Sequence, residues 1–471
     1  MRVLLVIPPS TLKERYGDLL EAGAVYPSMG LGFIAAVAES DGHTVRVVDS
    51  EAEPIGYDGI QQIVREFKPH VIGFQTFCAN LRRCRRVAEE ARAVDPDIVI
   101  VYGGVQATLF PEDQLRDGVV DVVVIGEGEE PTRKLLSALE NNRDWNDVPG
   151  IAFKDAEGQI VFTPRPPLIH NLDDLPFPAL HLFPMQAYHS SAQLRGSRTL
   201  HLFTSRGCPF NCSYCSGDLI FGKSFRFRSA DKVIADIRQM IKQFQIDGLQ
   251  FYDETFTVNR NRVLTLCNAM ITNGITIPWA CFTRVDLVDE ELLRTMKQAG
   301  CYQIFFGVET GVERLLKLIR KGTTLDQARK AFALCRTIGI ETVASFMLTL
   351  PTETVEDTEQ SIRFGLELDP DYVYWLTFVP YPGNDLSDLA QTSGTIINDD
   401  PTTYNVFNEV VYVPEGRTED EIRRTIARAY RRFYLRPRYV FRQVVKLIKL
   451  PPGKALTLIR GGVRTLVKNK V

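Results

Sequence analysis

Two successive blocks of alternating strand-type and helix-type hydrophobic patterning constrain this chain more than any other feature. In the first block, Val3–Ile7, Thr44–Val48, Val71–Phe74, Ile98–Val101 and Val120–Ile125 are short apolar runs of strand length. Helical patterns such as Gly30–Glu39 and Leu81–Ala93 fall between them. Such alternation predicts an α/β fold with a doubly wound parallel sheet. The second block offers strands at Thr199–Thr204, Gly248–Tyr252, Trp279–Thr283, Gln303–Val308, Thr342–Leu348 and Tyr372–Phe378. Helical patterns separate them, from Ala230–Gln243 to Val355–Leu368. A complete eight-unit barrel takes about 250 residues, so six units predict a partial barrel.

The expected organisation is a first domain over 1–140, a connector over 141–197, a partial barrel over 198–415 and a helical C-terminal region over 416–471. Pro164, Pro166, Pro167, Pro176, Pro178 and Pro184 mark the connector as irregular. The 471 residues carry a formal net charge of -3, which gives no general case for nucleic-acid binding. The charge is uneven: Ile422 to Val471 holds fifteen Lys/Arg and no Asp or Glu. The start of the chain lacks a signal-peptide core, and no apolar run is long enough to span a membrane. Nine cysteines without a secretory signal predict reduced thiols in the cytoplasm.

Residues 205–216 read Ser-Arg-Gly-Cys-Pro-Phe-Asn-Cys-Ser-Tyr-Cys-Ser. Cys208, Cys212 and Cys215 are spaced Cys-x3-Cys-x2-Cys on a loop after the first strand of the second block. Three thiolates can hold three irons of a cubane cluster and leave the fourth iron open. A structural zinc site needs a fourth ligand, usually in paired Cys-x2-Cys form. The next cysteine, Cys267, lies in a helical pattern and reads as core.

This motif resembles that of the radical S-adenosylmethionine (SAM) superfamily over roughly Thr199 to Pro382. The resemblance implies a [4Fe–4S] cluster whose open iron takes the amino and carboxylate groups of SAM. It also implies SAM contacts at the strand ends. Tyr214 would lie beside the adenine, Asp253 and Glu254 at the ammonium, Arg284 at the carboxylate through its forked guanidinium, and Glu309 at the ribose. One stretch departs from the family pattern, a Gly-x-Pro-Gly-Glu turn after the fifth strand. Here it is Thr349-Leu-Pro-Thr-Glu353, with Thr in place of both glycines.

The first block resembles the cobalamin-binding class of that superfamily. The matching pieces are Pro8-Pro9, Pro27-Ser-Met-Gly-Leu31, Gly42-His-Thr-Val45, Gly103-Gly104-Val-Gln-Ala-Thr108 and Gly126-Glu127-Gly-Glu129. Gly-rich turns at strand C-terminal ends let a ligand approach the backbone. The resemblance implies corrinoid contacts at Thr76, Cys78, Gly103, Gly104, Gly126 and Glu127. The Asp-x-His-x-x-Gly loop that supplies a cobalt-ligating His is absent, and neither His43 nor His70 fits it. A nicotinamide site is disfavoured, because Pro8-Pro-Ser lacks the Gly-x-Gly-x-x-Gly fingerprint.

The family layout implies a cobalamin-dependent C-methyltransferase acting on an unactivated carbon through a two-SAM cycle. One SAM gives its methyl to cobalt, and the other is cleaved to a 5′-deoxyadenosyl radical. The alternative is radical oxidation, cyclisation or rearrangement without methyl transfer, as in tetrapyrrole cyclases. A reductant such as a flavodoxin or ferredoxin is implied. The basic tail has two readings: a helical cap on the acidic body, or a peripheral membrane contact suited to a lipid-like substrate.

Overall fold

The computed structural model describes residues 1–11, 14, 23–191, 193–404, 409–448 and 456. The chain divides into two compact units. The first comprises residues 1–11, 25–188 and 217–228, and the second residues 12–24, 189–216 and 229–471.

The first unit is built on a seven-stranded sheet. Its strands are β1 (Arg2–Ile7), β2 (Thr44–Asp49), β3 (Val71–Gln75), β4 (Val99–Gly103), β5 (Val122–Val124), β6 (Ile151–Lys154) and β7 (Ile160–Phe162), in the order β2-β1-β3-β4-β5-β6-β7. β1 to β5 pair in parallel and β6 and β7 antiparallel. Leu4, Val6, Ile72, Ile100 and Val123 form its buried core with Val87, Ala88 and Ala91 of the helix Leu81–Val94. Strand order reverses between β1 and β3, the place where such sheets bind ligands at their C-terminal ends.

β6 and β7 lie in the stretch that reads as an irregular connector. The turn between them is closed by Asp155, whose carboxylate accepts from the Gln159 amide at 2.7 Å. Gly158 there takes a φ of +80°. Each strand is only three or four residues long, too short to show a period.

The second unit holds six parallel strands. They are β8 (Thr199–Leu202), β9 (Gly248–Phe251), β10 (Trp279–Thr283), β11 (Cys301–Glu309), β12 (Glu341–Leu348) and β13 (Tyr372–Thr377), in unbroken order from β13 to β8. Helices begin on side-chain caps: Ser229, Asn259, Asp289, Thr324 and Thr354 each accept from a backbone N–H in the first turn. Thr324 with Gln327 and Thr354 with Asp357 form capping boxes. This is the partial barrel that the patterning predicts.

The helices Glu419–Tyr434 and Pro437–Ile448 follow. The hydroxyls of Tyr434 and Tyr439 donate to the Val373 and Asp371 carbonyls, each at 3.0 Å, and Arg436 pairs with Asp369 at 2.9 Å. Residues 419–439 therefore cap the barrel. Phe441 is 72% exposed, and Val440 and Val444 are also exposed. The further apolar and basic repeat expected over 455–467 lies, apart from Leu456, outside the described residues. No helix among the described residues is long and apolar enough to cross a membrane.

Candidate functional site

The cysteine loop leaves β8 through Gly207, which takes a φ of +82°. None of the nine cysteines is in a disulfide. Cys208 Sγ lies 3.6 Å from Thr255 Oγ1, and the Cys215 amide donates to the Cys212 carbonyl at 3.1 Å. Burial pushes the Cys212 thiol up, while Lys321 and Arg284 pull it down. Cys267 is fully buried in a helix, as its pattern implies. Among the described residues, no group of three or more His, Cys, Asp or Glu side chains converges on a single-ion position. Three thiols on one loop suit three irons of a cluster, whereas a structural zinc site takes a fourth ligand.

The expected SAM-contact residues fall at the C-terminal ends of neighbouring strands, with different freedoms. Asp253 is 1% exposed. Its carboxylate accepts from the Thr204 amide and hydroxyl, each at 2.5 Å, from the Ser205 amide at 3.2 Å, and pairs with Arg262. Asp253 fastens the end of β8. Its neighbour Glu254 is exposed. Arg284 Nε and one terminal nitrogen go to Asp286 at 3.0 and 2.9 Å. The other nitrogen lies 3.9 Å from Cys212 Sγ, and the guanidinium stacks on Phe210. Asp286 thus engages two nitrogens of the fork.

Glu309 closes β11 with a φ of +69°. Its Oε1 accepts from Lys321 Nζ at 2.8 Å and from the Tyr214 hydroxyl at 3.0 Å. Lys321 also reaches the Tyr214 oxygen at 3.1 Å. Burial first, and then the Glu309 charge, push the Tyr214 hydroxyl up. A Cβ on Gly307 would crowd the far ends of the Glu309 and Lys321 side chains, so glycine there leaves this buried pair room. Sequence reasoning missed Lys321, and the only signal was a lone Lys beside Gly322 ahead of a capped helix. Both Thr349 and Thr352 adopt left-handed φ, +64° and +66°. The turn thus keeps the backbone that glycines would supply, although its side chains differ.

In the first unit, the Thr76 hydroxyl is buried between the Gly103 carbonyl (2.9 Å) and the Ala107 amide (3.2 Å). It braces the turn. Gly104 takes a φ of +93°, and a Cβ there would lie 3.0 Å from the Thr76 carbonyl. A Cβ on Gly103 would meet the Val124 Cβ at 3.8 Å, an ordinary van der Waals contact. Gly126 takes a φ of +85°, and its amide donates to Thr108. Cys78 Sγ lies 2.9 Å from Gln106 Oε1, and burial pushes its thiol up. The Glu127 carboxylate is buried in an ion pair with Arg226 at 2.9 Å and accepts from the Ile169 amide. His43 and His70 precede β2 and β3, at the opposite edge of the sheet. His43 meets the chain's amino terminus, and His70 accepts from the Arg2 amide. Glycine turns at the C-terminal ends of β4 and β5, with no His among them, fit a corrinoid held by its ring and periphery.

The radical SAM superfamily profile matches residues 202–365, and the B12-binding domain profile matches residues 17–136. The chain is 31% identical over 447 residues to an uncharacterized methyltransferase of Pyrococcus horikoshii, covering 94% of this chain and 95% of the relative. It is 29% identical over 443 residues to the anaerobic magnesium-protoporphyrin IX monomethyl ester cyclase of Rubrivivax gelatinosus, covering 92% and 78%. The radical SAM methyltransferase TsrM of Kitasatospora setae, solved with cobalamin and a [4Fe–4S] cluster, shares the fold. Its TM-score is 0.68 at 18% identity, covering 83% of this chain and 78% of that one. The chain belongs to the cobalamin-binding class of the radical SAM superfamily, and its cofactors are a [4Fe–4S] cluster, SAM and cobalamin.

Proposed function

We propose that the protein is a methyltransferase that adds a SAM-derived methyl group to an unactivated carbon of a small-molecule biosynthetic intermediate. The observation that carries this reading is the near end-to-end likeness to the Pyrococcus methyltransferase. When bound, the cluster supplies the electron that cleaves SAM, and the corrinoid supplies methyl-transfer chemistry.

The chain's own residues hold and shield. Cys208, Cys212 and Cys215 carry the cluster, with Arg284 and Lys321 as the nearby cations. Tyr214, clamped by Glu309 and Lys321, presents its ring beside the cluster loop. Glu254 takes the SAM ammonium alone, Asp253 being committed to β8. Glu309, with Lys321 fixing one oxygen, faces the ribose hydroxyls. Gly103, Gly104 and Gly126 would let a corrinoid approach the backbone, and Cys78 would contribute to the same site. Thr76 and Glu127 hold those turns in place.

A second reading, radical cyclisation or oxidation without methyl transfer, has specific support in the likeness to the Rubrivivax cyclase over 92% of this chain. A flavodoxin- or ferredoxin-type protein is the proposed reductant. Phe441, exposed on a basic helix, supports peripheral contact with an anionic membrane.

Anaerobically reconstituted protein with reductant, SAM and extract of the source cells separates the two readings. S-adenosylhomocysteine and 5′-deoxyadenosine rising together support methyl transfer. A rise in 5′-deoxyadenosine alone replaces it with the second reading. A Cys212→Ala variant sets the background.

A further inference from the structure

The inner face of the second sheet is layered by strand register. His201, Gln250, Ala280 and Gln303 pair across β8 to β11, and Gln303 pairs onward with Glu341 of β12. Two residues further along, Phe282 pairs with Phe305, Phe305 with Val343 and Val343 with Tyr372. Phe203 and Tyr252, just past β8 and β9, complete this row. Ring centroids stand 5.8 Å apart for Phe203–Tyr252, 5.0 Å for Tyr252–Phe282 and 4.6 Å for Phe282–Phe305. Every strand but β12 thus contributes an aromatic ring.

Barrel interiors are usually filled by branched aliphatic side chains. Here the aliphatic and aromatic packing lies on the other face, where Phe251, Phe306 and Phe346 are fully buried and Phe306 meets Phe332 of a covering helix. The aromatic row lies on the opposite face and is incompletely covered: Tyr252 is 42% exposed. Phe203, Phe282, Phe305 and Tyr372 are half-buried.

The rows on either side are polar. One strand period above, about 6.6 Å along the chain, come Glu254 and Arg284, the residues assigned to SAM and the cluster loop. Below lies Gln303, fully buried, with no hydrogen-bond partner for either amide atom among the described residues. A buried amide left with both a donor and an acceptor unused calls for a partner that supplies both. Beside it, His201 stacks on Tyr252 at 4.3 Å.

We infer that the aromatic row seats the substrate. The substrate then presents a flat, π-rich ring system to the row and a donor–acceptor group, a carboxamide or un-ionised carboxylic acid, to Gln303. This inference rests on the reading of the site as a radical centre with SAM held above the row. It narrows the substrate from any small molecule to a planar unsaturated one.

The test is calorimetric binding of naphthalene-2-carboxamide, its fully saturated decalin counterpart and 2-methylnaphthalene to the anaerobic holoenzyme with SAM. Ring–ring contact with two side chains predicts at least tenfold tighter binding of the aromatic amide than of the saturated one. Tyr252→Leu and Phe282→Leu are each expected to cut that preference to under threefold. Gln303→Leu is expected to erase the amide's advantage over 2-methylnaphthalene while keeping the aromatic preference. Retained cluster and corrinoid absorption identifies the variants that are folded. Equal binding of aromatic and saturated amides by the unmodified holoenzyme, no binding of any of the three, or an amide advantage unchanged by Gln303→Leu overturns the inference. The assay needs no turnover, so failure of methyl transfer and failure of this inference remain distinguishable.

Discussion

Glu353 offers a quantitative test of how the turn after β12 is held. Its carboxylate is 2% exposed, accepts from the Leu350 amide at 2.7 Å and from the Thr358 hydroxyl at 2.6 Å. Arg417 donates to that same hydroxyl at 2.8 Å. Burial outweighs these partners and raises the carboxyl from 4.5 to about 7. At 1.36 kcal/mol per unit, the rise is about 3 kcal/mol. The folded chain therefore binds a proton that the unfolded chain has already released. From this group, stability is highest below pH 4.5 and falls as pH climbs to about 7, where the penalty levels off. Glu353→Gln keeps an acceptor for the Leu350 amide. Its NH2 can donate to Thr358, whose hydroxyl turns to the Thr354 carbonyl, 3.2 Å away. The variant should match the parent near pH 4 and exceed it by up to about 3 kcal/mol at pH 8. Urea unfolding of the apo chain at several pH values reads this difference. A variant less stable than the parent at pH 8, or a difference that does not change with pH, would refute the reasoning.

Three further outcomes follow from the site's geometry. Thr352→Gly should raise the urea midpoint, because left-handed backbone costs a non-glycine residue about 1–2 kcal/mol and glycine's extra unfolded entropy offsets only part of it. Lys321→Met strands the Glu309 carboxylate in a buried setting and should cost about 3–5 kcal/mol. Lys321→Arg should restore part of that stability and of SAM affinity, read by calorimetry on cluster-loaded protein. Glu127→Leu should destabilise the first unit by a similar amount, about 3–5 kcal/mol, and lower corrinoid retention after gel filtration. The Glu127→Leu/Arg226→Leu double variant should recover most of the stability.

The architecture was largely legible because strand and helix periods repeat across eleven parallel strands. β6 and β7 escaped because three- and four-residue strands flanked by prolines carry no period. At the site, residue types and their place at strand ends were legible, but which way each acid faces was not. Asp253 and Glu254 are chain neighbours, and pleating sends one into the Thr204 and Arg262 bonds and leaves the other exposed. The Lys321–Glu309 pair joins residues twelve apart beside Gly307, a spatial arrangement with no local pattern. Likewise, the threonines of the 349–353 turn read as a departure from the family, yet the backbone keeps the left-handed shape.

The account's central claim is transfer of a SAM methyl group by a cluster carried on Cys208, Cys212 and Cys215 together with a corrinoid. The most direct measurement supplies SAM bearing a deuterated methyl group to the reconstituted protein, reductant and source-cell extract, and searches the small molecules by mass spectrometry. The account predicts a metabolite that gains the labelled methyl only when cluster, corrinoid and reductant are all present, and never with the Cys212→Ala variant. Cleavage of SAM to 5′-deoxyadenosine with an altered but unlabelled metabolite would contradict it.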